Sequence, residues 1–557
     1  MSTKLLTRMV SVAPQIDPNA IPHLAATGFR SVVCNRPDGE GSDQPNFAEI
    51  ESACEQAGLQ SAYLPVQSGK VSDEDACAFG DLVERLPAPV LAYCRTGTRS
   101  ATLWALSEAA RGRPMPDILS ATKAAGYDLK GIVRRVVAAG RTPADSDELR
   151  HEVVIVGGGA AGIAVAASLK ARSADLDIAI IEPGDIHYYQ PGWTMVGGGV
   201  FAPKTTAKTM ASLIPSGVHW IKAAVAAFEP ENNAVILDGC RVIKYGRLVV
   251  APGLKLNWNG IEGLPETLGQ NGVTSNYRFD LAPYTWQLVQ GLKGGHAVFT
   301  QPPMPIKCAG APQKAMYLAA DHWKRRGVLK DVGVDFFSAA PVLFGVKDYV
   351  PALMEYVQRY GIALNFQHNL TRIDGPGHKA WFTRTAADGE TSEAETEFDM
   401  IHVVPPQVAP DFLRVSPLAD AAGWMDVDPA SLRHKTYPGI YGLGDACNAP
   451  NAKTAAAARK QAPIVAHNLL KDLGRINKAD AVYDGYGSCP LTVERGRIVL
   501  AEFGYSGKLL PSLPLWLING KRPSRIAWLL KEQMLPLVYW KAMLRGHEWL
   551  ATPELVG

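Results

Sequence analysis

Between residues 1 and about 140, short apolar runs alternate with amphipathic stretches. Ser31-Val-Val-Cys34, Ala62-Tyr-Leu-Pro65 and Val90-Leu-Ala-Tyr93 read as strands, while Phe47 to Gln56, Asp73 to Arg85 and Arg99 to Arg111 carry the helical period. Alternation of this kind predicts a small α/β domain, residues 1–140, with a largely parallel sheet. The polar, proline-containing run over 141–150 predicts a linker. From 151 to 503 the α/β alternation resumes, with a glycine-rich turn near its start and Gly442-Leu-Gly444-Asp445 near its end. Residues 504–557 change character. Trp516, Trp528, Trp540 and Trp549 stand among leucines, with seven Lys/Arg against three Glu interspersed, which predicts an amphipathic helical tail.

A chain of 557 residues is too long for one core. A hydrophobic content of 47% with 20% charged residues is that of a globular protein. The formal charge of +2 supplies no field for a nucleic-acid partner. No run of about 18 apolar residues predicts a membrane span, and Met1-Ser-Thr-Lys-Leu-Leu-Thr-Arg8 lacks the apolar centre of a signal peptide. The expected location is the cytoplasm. The eight cysteines are spread without a close C-x-x-C pair, so no metal site is expected, and each thiol is judged by its own surroundings.

Val153-Val-Ile-Val-Gly157-Gly-Gly159-Ala-Ala-Gly162 is a buried strand turning through G-x-G-x-x-G into a helix, whose N–H groups and dipole hold a pyrophosphate. Glu182 ends the next apolar run, about 20 residues further on, where a carboxylate accepts ribose hydroxyls. Leu248-Val-Val-Ala-Pro-Gly253 reads as a strand and glycine turn leading back to the cofactor, and Tyr441-Gly-Leu-Gly-Asp445 places an acid where the ribityl chain of FAD would lie. This order of elements matches flavoproteins of the disulfide-reductase type, built from two Rossmann-like subdomains. FAD is the expected cofactor.

The second nucleotide fingerprint that such proteins carry for NAD(P)H is missing. After His296-Ala-Val-Phe-Thr300 the chain reads Gln301-Pro-Pro-Met-Pro-Ile-Lys-Cys308-Ala-Gly-Ala-Pro312, and prolines remove the N–H donors a pyrophosphate needs. The electron donor is therefore expected at Cys308. Lys307-Cys308-Ala-Gly-Ala-Pro-Gln-Lys314, His187-Tyr-Tyr-Gln-Pro191, Gly444-Asp445 with Lys453-Thr-Ala-Ala, and Tyr483-Asp-Gly-Tyr-Gly-Ser-Cys-Pro490 resemble the sulfide:quinone oxidoreductases of the mitochondrial-like type, from about residue 151 to the C-terminus.

That resemblance implies sulfide as donor and quinone as acceptor, with Lys453 beside the cofactor. It also implies a cysteine pair, because hydrosulfide does not pass a hydride to flavin directly, whereas a protein disulfide or trisulfide can be attacked and release a thiolate. Cys308 matches the first cysteine of the pattern. Cys447 is the expected second, although Ala446 stands between it and the Asp it directly follows in the family, and Lys307 is expected to lower the Cys308 pKa. Quinone lives in the bilayer, so the tail is read as an interfacial anchor on the inner face of the cell membrane. A homo-oligomer is possible.

In the N-terminal domain Val90 to Tyr93 is followed by Cys94-Arg-Thr-Gly-Thr-Arg99-Ser, a loop whose N–H groups, helix dipole and Arg99 form an anion cradle that also acidifies the thiol. Protein tyrosine phosphatases and rhodanese-type sulfurtransferases share this device. Only four residues separate Cys94 from Arg99, one fewer than in the phosphatase signature. Residues 1–135, with Asn35-Arg-Pro-Asp-Gly39, resemble a bacterial phosphatase-like fold that is often labelled a sulfurtransferase. The expectation is that Cys94 accepts sulfane sulfur, directly or through a small thiol or sulfite, with Asp38 or Asp43 as general acid in the phosphatase reading. Two further readings stand beside this one: an NAD(P)H-dependent disulfide or quinone reductase fused to a tyrosine-phosphatase-like domain, and a non-catalytic flavin-containing sensor or scaffold.

Overall fold

In the computed structural model, described for residues 3–41, 44–67, 71–113, 115–127, 129, 132, 149–238 and 242–556, the chain divides into two compact units. One comprises Met1–Arg150 with Ala223–Lys244, the other His151–Lys222 with Tyr245–Gly557. Residues 141–148 of the expected linker, and Asp43, lie outside the described residues. The 504–557 segment falls within the second unit.

The first unit has a five-stranded sheet. Val10–Ala13, Val90–Tyr93, Ser31–Cys34 and Gln60–Tyr63 are neighbours in parallel, and Lys4–Leu5 adds an antiparallel edge. The three central strands are buried along their whole length, which is why they read as unbroken apolar runs. Helix Phe47–Gln56 starts at a capping box formed by Asn46 and Glu49, and helix Asp73–Arg85 at one formed by Ser72 and Asp75. Helix Thr98–Ala110 follows the central strand Val90–Tyr93 directly through the Cys94 loop.

The second unit contains two parallel arrays. In the first, Val218–Ile221, Ile178–Ile181, Leu149–Val156, Val242–Val250 and Ile440–Gly442 lie side by side. In the second the order is Val273–Thr274, Met400–His402, Gly295–Gln301, Val332–Ser338 and Ala363–Phe366, all parallel. Helix Ala311–Arg326 leaves the end of Gly295–Gln301 through the proline-rich loop, and buries Met316, Tyr317 and Trp323 against Phe299 and Phe336. The antiparallel hairpin Gly487–Glu494 with Arg497–Phe503 adds Cys489, Leu491 and Val493 to the same core. No helix among the described residues is long and apolar enough to cross a membrane.

The tail is helical from Arg525 to Arg545, with π-helical turns at Leu530–Met534 and Val538–Ala542. One face of it is buried: Trp528 packs on Met195, Ile498 and Leu500, while Tyr539 and Trp540 stack near Tyr189 and His187.

Candidate active site

A cavity of about 470 Å³ opens where the first parallel array ends, lined by Gly157–Gly159, Glu182, Gly253, Asp445, Lys453, Cys308, Lys314, Lys531 and Tyr539. Its volume is in the range of cofactor clefts. The three fingerprint glycines have separate reasons. Gly157 has φ of +100°, and a Cβ there would meet the Ala251 carbonyl oxygen at 2.5 Å; one on Gly162 would meet the Gly157 carbonyl oxygen at 1.8 Å. Around Gly159, the N-cap of helix Ala160–Arg172, nothing lies within 4 Å of an added Cβ. Tight turn, close helix packing and open space over the first N–H groups are what a pyrophosphate requires.

Glu182 is fixed by two backbone donors, Gly158 N–H to Oε2 at 2.8 Å and Gly184 N–H to Oε1 at 2.7 Å. Gly253 and Asp445 both line the cavity. Burial raises the Asp445 carboxyl, with Lys453 and Lys307 opposing the rise. Lys453 Nζ donates to the carbonyls of Asp445 and Cys447 at 2.9 and 2.7 Å, tying that loop down. The backbone of Lys453 also accepts from the Cys308 N–H at 2.8 Å, so the flavin-side loop and the cysteine loop are one hydrogen-bonded unit.

Cys308 sits in the left-handed region, φ of +50°, a conformation that non-glycine residues hold only when their surroundings impose it. Its Sγ lies 3.6 Å from Cys489 Sγ, and the Lys314 ammonium is 3.0 Å from Cys308 Sγ and 3.8 Å from Cys489 Sγ. The hydrogen bond from the Cys489 thiol and the adjacent Lys314 charge hold Cys308 well below the ordinary thiol range, against its burial. The same hydrogen bond and burial push Cys489 up. Lys314 itself is raised despite burial, because both sulfurs favour its charge. The Lys531 side chain enters from the tail. Burial, with Lys314 as a like-charged neighbour, brings its pKa down to about 7.

The expected partner of Cys308 is thus corrected. The thiol of Cys447 is buried and donates to the Gly444 carbonyl at 3.2 Å. It follows the short helical turn Gly444–Ala446 in extended conformation and bridges to Met425, whereas the sulfur facing Cys308 comes from the hairpin. Gly310 makes that approach possible, since a Cβ there would sit 2.6 Å from Cys489 Sγ and 2.3 Å from Leu491. Lys307 interacts with Cys308 only through its charge, each favouring the other's ionised form. Its Nζ bonds the Gln190 side chain at 2.5 Å and burial lowers its pKa to about 8, while the cation on Cys308 is Lys314. Cys489, Lys314 and Lys531 were not singled out from the sequence, although Lys314 and Cys489 fall within the quoted motifs.

The model of the pyridine nucleotide-disulphide oxidoreductase family matches residues 151–288. Mouse mitochondrial sulfide:quinone oxidoreductase is 40% identical over 400 residues, covering 71% of this chain and 87% of the relative. The chain belongs to the sulfide:quinone oxidoreductase family. It is an FAD-dependent oxidoreductase, and the glycine turn, Glu182 and Asp445 fit that cofactor. The crystal structure of the sulfide:quinone oxidoreductase from Aquifex aeolicus aligns with a TM-score of 0.60 at 21% identity, over 72% of this chain and 92% of that one, a likeness of fold.

Residues 2–111 match the phosphatase-like domain of beta-lactamase hydrolase-like proteins. The protein of that name from Agrobacterium fabrum is 38% identical over 114 residues, 20% of this chain and 26% of the relative. In this unit Cys94 is buried and its Sγ accepts the Gly97 N–H at 3.1 Å. Gly97 has φ of +86° and caps helix Thr98–Ala110. Arg99, also buried, donates to the Asn35 carbonyl at 3.0 Å and to Glu40 at 2.8 Å. The Asp38 carboxylate accepts the Phe47 N–H at 2.9 Å. His151, Asp177 and His219 bring three ligand atoms within 4.8 Å of one another; the hydrogen bond between His151 Nδ1 and Asp177 Oδ1 at 3.0 Å accounts for the closeness of those two.

Proposed function

We propose that the second unit oxidises sulfide with Cys308 and Cys489 as its redox sulfurs and delivers the electron pair through FAD to a quinone. The observation that carries this reading is the sulfur pair at 3.6 Å with Lys314 beside it, of which Cys308 and Lys314 line the same cavity as the glycine fingerprint. In the oxidised state the two sulfurs are bridged. Hydrosulfide attacks the Cys489 sulfur, the bridge breaks, a persulfide forms on Cys489, and Cys308 leaves as thiolate with the electron pair. The polarity follows from leaving-group strength, because the more acidic thiol departs faster, and Lys314 neutralises the charge that develops on it. Bound FAD supplies a two-electron acceptor that quinone re-oxidises. Lys531, near neutrality, is suited to take the proton that hydrosulfide chemistry releases into the cavity.

The tail has two tasks in this reading. Its buried face walls the cavity with Lys531 and Tyr539, and its other face leaves Leu515, Trp516, Leu529 and Leu537 exposed near Lys521, Arg522 and Arg525. Apolar side chains rimmed by cations suit the headgroup boundary of an anionic bilayer, so the enzyme acts as a peripheral protein where its quinone resides. Cys94 is read as an acceptor of the sulfane sulfur released from Cys489, directly or through a small thiol. Stopped-flow mixing tests the core of the proposal. Sulfide should bleach the flavin rapidly and NADH should not; the reverse result overturns it.

A further inference from the structure

The Cys94 loop carries its own counter-ion. Arg99 is only 8% exposed, and its Nη2 donates to Glu40 Oε1 at 2.8 Å. The other oxygen of that carboxylate accepts Nε of Arg36 at 2.9 Å, and Arg36 Nη1 donates to the Gln15 side chain at 2.9 Å. Two guanidinium groups therefore share one carboxylate beside the thiol loop. Nε of Arg99 and the Ser100 hydroxyl are buried and have no partner among the described residues, so donors stand ready while part of the cationic charge is already answered. Burial works against the Glu40 carboxylate, but the two guanidinium groups hold its pKa below the ordinary value.

We propose that Glu40 selects the ligand class of the Cys94 site, admitting a neutral or singly charged sulfane-sulfur carrier such as an organic persulfide and rejecting dianions such as phosphate and thiosulfate. This rests on the reading of Cys94 as a sulfur acceptor and sharpens it. A dianion must either displace Glu40 from Arg99 or sit against it, and like charges in a partly desolvated site repel strongly. A persulfide meets no such barrier. The Cys94 thiolate attacks the outer sulfur of R–S–SH, a Cys94–sulfur bond forms, the original sulfur–sulfur bond breaks, and R–S⁻ departs with the electron pair while the proton stays on the transferred sulfur.

The test is calorimetric titration of the full-length holoenzyme with inorganic phosphate and with thiosulfate, for the wild type and for Glu40→Gln, Glu40→Ala and Glu40→Asp. Both neutral variants should bind each dianion at least tenfold more tightly than the wild type, and Glu40→Asp, which keeps the charge, should stay within about threefold of it. Transfer from cysteine persulfide to the wild type, followed as mass added to the Cys94 peptide, should add one sulfur to that peptide. Equal dianion affinity in wild type and both neutral variants would overturn the proposal. If dianion affinity rises as expected but Cys94 never gains sulfur, the charge filter stands and only the sulfur-acceptor reading falls.

Discussion

The ammonium of Lys314 lies 3.0 Å from the sulfur of Cys308 and 3.8 Å from that of Cys489, and this asymmetry gives the two thiols different tasks. The nearer sulfur is held as the thiolate and the farther one keeps its proton. Replacing Lys314 with Met removes a charge-assisted hydrogen bond worth about 1.5–3 kcal/mol. Sulfide-dependent flavin reduction at neutral pH should slow by roughly 10- to 100-fold, and its pH profile should move upward as Cys308 becomes harder to ionise.

Cysteine substitutions separate the pair from its neighbour. Cys308→Ser and Cys489→Ser should each lower sulfide-dependent quinone reduction by on the order of 1,000-fold, since groups acting as a unit fail together. Cys447→Ser should keep at least about half the activity, because its thiol bonds backbone groups of its own loop, among them the Gly444 carbonyl, which a serine hydroxyl can also bond. Near-complete loss in the Cys447 variant, with activity kept in the Cys489 variant, would return the pair to the sequence expectation.

Acid should loosen the junction between the flavin domain and the tail. His187 Nδ1 donates to the Gly158 carbonyl at 3.1 Å and its Nε2 accepts from the Tyr539 hydroxyl at 2.7 Å, an arrangement only the neutral ring allows. Burial lowers the His187 pKa to about 4, from about 6.5 in an unfolded chain. Between these values the unfolded state binds more protons, so this group's contribution is full above pH 6.5 and falls as pH drops toward 4. A His187→Gln variant should show a flatter loss of melting temperature over that interval.

Membrane attachment can be tested without destroying the cavity. Deleting the tail would also remove Lys531 and Tyr539, so point changes on its exposed face are more informative. Trp516, 84% exposed, and Leu515, 64% exposed, should tolerate replacement by Glu. The double variant should bind anionic vesicles at least about tenfold more weakly while reducing a short-chain soluble quinone at the wild-type rate. Unchanged vesicle binding would remove the anchor reading.

Gly310 offers a steric check on the sulfur pair. Ala at this position would press on Cys489 Sγ and Leu491, and overpacking of a filled core costs about 1–3 kcal/mol. The expected result for Gly310→Ala is a lower melting temperature together with slower closure of the Cys308–Cys489 bridge, measured by thiol titration after oxidation.

The sequence by itself determined the elements whose signal is local. Alternation of apolar runs with helical periods is written into neighbouring positions, so the strands Ser31–Cys34 and Val90–Tyr93 and the helices Phe47–Gln56 and Asp73–Arg85 were legible as they stand. The fingerprint from Val153 to Gly162 was equally legible, since turn, pyrophosphate space and helix packing are met within ten residues. Cys308 announced itself by what replaced a glycine turn. Its partner did not, because proximity in sequence to Asp445 favoured Cys447, whereas the true neighbour is 181 positions away on a hairpin that only core packing brings to helix Ala311–Arg326. Lys531 was hidden for a related reason. Among the tail's surface cations it looked like one more headgroup contact, and only the folding of that segment over the cavity turned it inward, where loss of water, not sequence, sets its charge.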